Sequence, residues 1–143
     1  MSKLVLGVLL FAAQLSGPGA TLPQILTSDC KSAVSVKAGQ AGEVTVSFNL
    51  LKGFAINHTP PISLKLTKVS GVTLAKTDFA TPTKDPKSKD EYYVDLPTIK
   101  VPVTAAKAGK YGVPGKLTYF FCSKTDGFCS RQVLDVKLPV VVQ

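Results

Sequence analysis

Sulfur is the chemistry this sequence is best equipped for. Two of its three cysteines stand in one short segment, Lys116-Leu117-Thr118-Tyr119-Phe120-Phe121-Cys122-Ser123-Lys124-Thr125-Asp126-Gly127-Phe128-Cys129-Ser130-Arg131, with Cys30 far away in the chain. Other chemistries lack parts. Glutamate occurs only as Glu43 and Glu91 and histidine only as His58, so a paired-carboxylate hydrolase or a histidine triad has little to be built from. His58 and three cysteines do not make metal-ligand spacings either, and the one methionine is Met1, which argues against a soft copper site. We therefore expect no metal and no cofactor, and the chemistry that remains belongs to sulfur, either as a structural bridge or as a redox couple.

Whether the two cysteines meet depends on hairpin register. A two-residue turn at Asp126-Gly127 would oppose Cys122 to Arg131, whereas a four-residue loop from Lys124 to Gly127 opposes Cys122 to Cys129. The second register also sets Leu117 against Leu134 and Lys116 against Asp135, an apolar pair and an opposite-charge pair, and leaves Gly127 free for the left-handed turn position. We expect this register. Opposed cysteines in a non-hydrogen-bonded pair lie about 4.5 Å apart at Cα, near enough for a disulfide. By alternation, Leu117, Tyr119, Phe121, Leu134, Val136 and Leu138 face a core, and Thr118, Phe120, Cys122, Cys129, Arg131 and Val133 face the other way. Arg131 then stands opposite Phe120 on the sulfurs' own face, where a cation favours thiolate over thiol. So small a loop constrains the unfolded chain by only about 2.5 kcal/mol, which makes an outward-facing bridge a poor staple and an accessible redox couple.

The rest of the chain must position that hairpin. Lys3, the apolar run from Leu4 to Ala13 and the small residues Ser16-Gly17-Pro18-Gly19-Ala20 read as a secretory signal peptide over 1–20, too short to span a bilayer. This leaves one domain over 21–143, exported to a compartment where disulfides persist. Val44, Val46, Phe48 and Leu50 alternate with polar residues across Glu43 to Leu51, and Ile62, Leu64 and Leu66 repeat the period. Val69 to Leu74, Tyr92 to Leu96, Ile99 to Thr104, Lys116 to Cys122 and Ser130 to Val142 complete about seven strands divided by Gly- and Pro-bearing turns. With no helical period after the signal, this predicts an all-β, immunoglobulin-like antiparallel sandwich. Ala80 to Glu91 reads as an exposed loop.

These residues resemble the amino-terminal periplasmic domain of the thiol-disulfide interchange protein DsbD, the disulfide bond corrector-like family. Thr118-Tyr119, Cys122 and Asp126-Gly127-Phe128-Cys129 look like its cysteine segment. Tyr92-Tyr93-Val94-Asp95-Leu96-Pro97 with Val101-Pro102-Val103 resembles the preceding Tyr-rich strand, and Lys76-Thr77-Asp78-Phe79 the start of its cap loop. Ser130-Arg131 replaces a proline-containing continuation, and the loop after Phe79 is longer. The resemblance implies that Cys129 forms the mixed disulfide and Cys122 resolves it, that Phe79 shields the bridge, and that Tyr92 or Tyr93 lines the site together with Asp78, Phe128, Phe120 and Arg131. It further implies partners of two kinds: a membrane-embedded thiol reductant and exported thiol-disulfide proteins.

The other features are weaker. Cys30 is an odd thiol, expected to be free or intermolecular. Asn57-His58-Thr59 has the form of a glycosylation sequon but runs into Pro60-Pro61, and His58 reads as a turn residue. The net charge of +8 is scattered lysine with one arginine, and Lys84, Lys87 and Lys89 sit beside Asp85, Asp90 and Glu91. We expect a solvated loop, no nucleic acid, and no stable membrane insertion once the signal is removed. The competing reading is a noncatalytic immunoglobulin-like envelope-binding module whose bridge is structural.

Overall fold

The computed structural model describes residues 24–32 and 36–143. The signal peptide expected over 1–20 lies outside the described residues.

Nine strands and no helix occur among the described residues, arranged as two antiparallel sheets in an immunoglobulin-like sandwich. The first sheet runs β1 (Leu26–Ser32), β2 (Ala41–Leu50), β7 (Ile99–Thr104), β5 (Thr73–Leu74). The second is built around β8 (Gly109–Ser123): one side of β8 takes β9 (Cys129–Val142), and the other takes β3 (Phe54–Ile56) and β4 (Ser63–Leu66), with β6 (Asp78–Ala80) outside β4. Alternation explains the layers. Val44, Val46 and Phe48 of β2 and Ile99, Val101 and Val103 of β7 face Leu64, Leu66, Leu117, Tyr119, Phe121, Leu138 and Val140 across one buried core.

Several expectations shift. Lys116 to Cys122 extends back to Gly109, because Gly112, Pro114 and Gly115 lie within a strand that pairs with β9 all the way to Gly109↔Val142. Gly115 belongs there for a steric reason: a Cβ on it would approach Lys65 O to 2.9 Å and Leu66 Cδ2 to 2.8 Å, where β4 crosses close to β8. Val69 to Leu74 contracts to Thr73–Leu74. Tyr92 to Leu96 is not a strand; only Tyr92 pairs, as an isolated bridge to Asn57, because the chain around it is held by side-chain turns. β1, β3 and β6 were not expected.

The sheets are joined at the hairpin end by Tyr119, which is fully buried. The Leu26 N–H of β1 donates to its hydroxyl (3.2 Å), and the hydroxyl donates to Gln132 Oε1 on β9. Burial raises the phenol above its ordinary pKa, so it remains a neutral donor.

Candidate functional site

The β8–β9 ladder has the register expected from the loop: Lys116↔Asp135, Leu117↔Leu134, Phe120↔Arg131 and Cys122↔Cys129. The turn closes through Ser123 N–H to Phe128 O (2.8 Å) and Gly127 N–H to Ser123 O (3.0 Å), with Gly127 at φ 71°. Cys122 and Cys129 are bonded, with Cα atoms 4.0 Å apart. Because the Ser123 N–H donates to Phe128 O in the neighbouring rung, the cysteines form a narrow, non-hydrogen-bonded pair.

The bridge is asymmetric. Cys122 is only 5% exposed, while Cys129 is exposed. Cys122 lies inside the sheet, opposite Ala55 of β3, and its Sγ is 3.6 Å from Asn57 Oδ1. In the bridged form neither sulfur carries a proton. Once reduced, the Cys122 thiol has this amide oxygen as an acceptor. Cys129 lies on the outer strand and is exposed.

Register places the remaining residues. Asn57 N–H donates to Phe120 O (3.0 Å) and Asn57 bridges to Tyr92, so Tyr92, Asn57, Phe120 and Arg131 form one row across the outer face, beside the row Ala55, Cys122, Cys129. Tyr92 therefore shares the sulfurs' face. Tyr93 does not: it packs against the core, contacts His58 edge-on, and its hydroxyl bonds with Thr81 (2.7 Å) and donates to Pro82 O. Phe128 turns to the core face as well, its ring edge-on to Phe121 at 6.0 Å, although it stays 45% exposed at the sandwich end.

The structure does not bring Phe79 or Asp78 to the bridge. Phe79 pairs with Leu64, which pairs with Leu117, so its ring belongs to the core face, buried, with Lys76 Nζ 4.8 Å over it. That row is five residues along β8 from Cys122, about 17 Å at strand rise. Asp78 falls in the row Lys65, Lys116, Asp135, one residue further. Phe79 therefore does not cover the bridge, and Cys122 is buried within the sheet while Cys129 stays exposed. A groove of about 470 Å³ runs along the outer face from Asp78 past Thr118 to Val133 and Arg131, and neither cysteine lines it.

Tyr92 owes its place to the turns before it. Asp90 Oδ1 accepts from the Tyr92 N–H (3.0 Å), and Asp85 accepts from the N–H groups of Lys87 (2.9 Å) and Val94 (2.7 Å). These backbone donors hold both carboxyls below the usual aspartate pKa. His58 Nε2 meets Asp90 O at 2.8 Å, in line with its reading as a turn residue.

A family model for the amino-terminal region of the thiol:disulfide interchange protein DsbD matches residues 23–138 of the 143. The chain belongs to this family. No curated protein matches the sequence closely enough to count as a relative. Within a DsbD amino-terminal domain, the site residue that sequence reading missed is Asn57. Its only sequence signal was a sequon, and its proximity to Cys122 emerges only once β3, three residues long, is paired with β8. Cys30 lies on β1 opposite Val46, half-buried; burial, then the neighbouring Asp29 charge, raises its thiol pKa. No group of three or more His, Cys, Asp or Glu able to hold a metal occurs among the described residues.

Proposed function

We propose that this domain is a periplasmic thiol-disulfide exchanger that relays electrons from a membrane-embedded thiol reductant, through the Cys122–Cys129 pair, to exported partner proteins. The observation that carries the reading is the asymmetry of the bridge: one cysteine exposed on an edge strand, the other buried beside an amide acceptor. Exchange proceeds by thiolate attack on a disulfide sulfur, and access decides which sulfur is attacked. An incoming thiolate reaches Cys129 and displaces Cys122. In the opposite direction, the buried Cys122 is held next to the mixed disulfide and resolves it. Arg131, on the same face and two residues from Cys129, favours the anionic sulfur during the transfer. The family match and the signal-like amino terminus support the periplasm as the compartment.

The test is covalent trapping. A Cys122→Ala variant, exported in its native host and acid-quenched, should carry discrete mixed disulfides on Cys129 that disappear on reduction and in a Cys129→Ala control. Absence of any adduct, with the double variant supporting normal function, would instead establish the bridge as the structural element of a noncatalytic binding module.

A further inference from the structure

The long edge of β9 is left open beside the reactive sulfur. Ser123 N–H donates to Phe128 O, which turns the even-numbered residues of this strand toward β8. The odd-numbered residues turn away, and the far end of the strand shows it: Val141 O accepts from Val36 N–H (3.1 Å), and Gln143 N–H donates to Val36 O (2.8 Å). Cys129, Arg131, Val133 and Asp135 are in the same phase, exposed, and among the described residues nothing pairs with them on that side. An edge of free N–H and C=O groups is a template for another extended chain.

The geometry points to strand addition on β9 as the way a partner presents its cysteine to Cys129. This rests on the exchange reading above. A residue of an added strand opposite Cys129 would occupy a hydrogen-bonded pair, with Cα atoms about 5.5 Å apart, and disulfides most commonly span about 5.5–6 Å. The added strand therefore brings a cysteine beside Cys129, and a small inward tilt of the two residues supplies the Cβ–Cβ distance of about 3.8 Å that a disulfide requires. The occupant is an extended segment of a dithiol protein. Arg131 on the neighbouring position, in a chain of net charge +8, favours a carboxylate two residues from the partner's cysteine.

In the reducing direction the partner thiolate attacks Cys129 Sγ and bonds to it. The Cys122–Cys129 bond breaks, and its electron pair leaves on Cys122 Sγ, which takes up a proton. The partner's second thiolate then attacks the partner's own sulfur in the mixed disulfide, releasing Cys129 as a thiolate that is protonated in turn. The partner is oxidised to a disulfide and the bridge is reduced to two thiols.

The test uses the reduced protein with Cys30→Ala and Cys122→Ala, leaving Cys129 as its one thiol. The probe is an extended peptide of about seven residues, rich in Val and Thr, with a central cysteine and a glutamate two positions away. It is offered as its mixed disulfide with 5-thio-2-nitrobenzoate, whose release is followed by colour. The small-molecule comparison is glutathione carried on the same leaving group. The peptide should react about tenfold faster or more, the return expected of two or three backbone hydrogen bonds. N-methylating its pairing amides should abolish that advantage on the unaltered protein. Arg131→Pro, which removes an edge-facing N–H and leaves the bonds to β8 intact, should abolish it too, whereas Arg131→Ala should lose only the contribution of the peptide's glutamate and match the unaltered protein toward a peptide carrying glutamine there. Equal rates for the methylated and unmethylated peptides would overturn strand addition while leaving exchange intact. Failure of Cys129 to react with either probe would overturn the exchange reading itself.

Discussion

Replacing both Cys122 and Cys129 with alanine should weaken the domain without unfolding it, and the size of the loss can be worked out. The two cysteines are seven residues apart, so the bridge closes a very short loop and removes about 2.5 kcal/mol of chain entropy from the unfolded state. Loss of the buried Cys122 sulfur adds about 1 kcal/mol. A domain of ordinary stability has about 5–15 kcal/mol in hand, and the β8–β9 ladder continues without interruption to Gly109↔Val142. Only the hairpin tip should loosen. For a chain of this size, a deficit of about 3–4 kcal/mol lowers Tm by about 10–15 °C. The assay is urea and thermal unfolding by circular dichroism, since the chain has no tryptophan, with chemically reduced wild-type protein measured alongside. A loss large enough to unfold the reduced domain at 25 °C would refute the reasoning, because a bridge that must open in every cycle cannot also hold the fold together.

Three further outcomes follow from individual contacts. Tyr119→Phe should cost about 1–2 kcal/mol in the same unfolding assay, since it leaves the buried Leu26 N–H and Gln132 without their partner; a neutral substitution would contradict the tie between the sheets. Asp85 and Asp90 have depressed folded pKa values, so the turns that hold Tyr92 are stabilised above the ordinary aspartate pKa of about 3.9 and lose that support as pH falls through the lower folded values. Carbon-detected NMR titration should find both midpoints below that reference, and ordinary midpoints would remove the support assigned to them. In the reduced protein near neutral pH, iodoacetamide should label exposed Cys129 well before Cys30, whose thiol pKa is raised by burial and by Asp29; peptide mass spectrometry reads the order, and equal rates would contradict it.

The parts of this structure legible in the sequence are those governed by local periodicity. Opposed positions in a hairpin follow from loop length, so Cys122↔Cys129 and the pairs below it were available from the segment alone. The alternation of Val44, Val46 and Phe48 likewise gave β2. What escaped were short strands that owe their existence to neighbours. Phe54–Ile56 and Asp78–Ala80 are three residues each and form because β8 and β4 offer them an edge. β1 mixes Ser28 and Cys30 with Leu26 on the side facing the core and shows no clear apolar period. Phe79 illustrates the cost: motif likeness placed it over the bridge, while pairing through Leu64 to Leu117 places it in the core. Tyr92 and Tyr93 could not be separated until Asn57 supplied the row, because one residue of register exchanges their faces.

A relay requires the Cys122–Cys129 bridge to open and close under the conditions of its compartment. Equilibration of the protein in glutathione redox buffers, with the bridged and reduced forms quantified by mass after acid quenching, measures this directly. The expected reduction potential lies above about −300 mV, within reach of exchange with other proteins. A value well below that, with the bridge intact in every buffer, would contradict it.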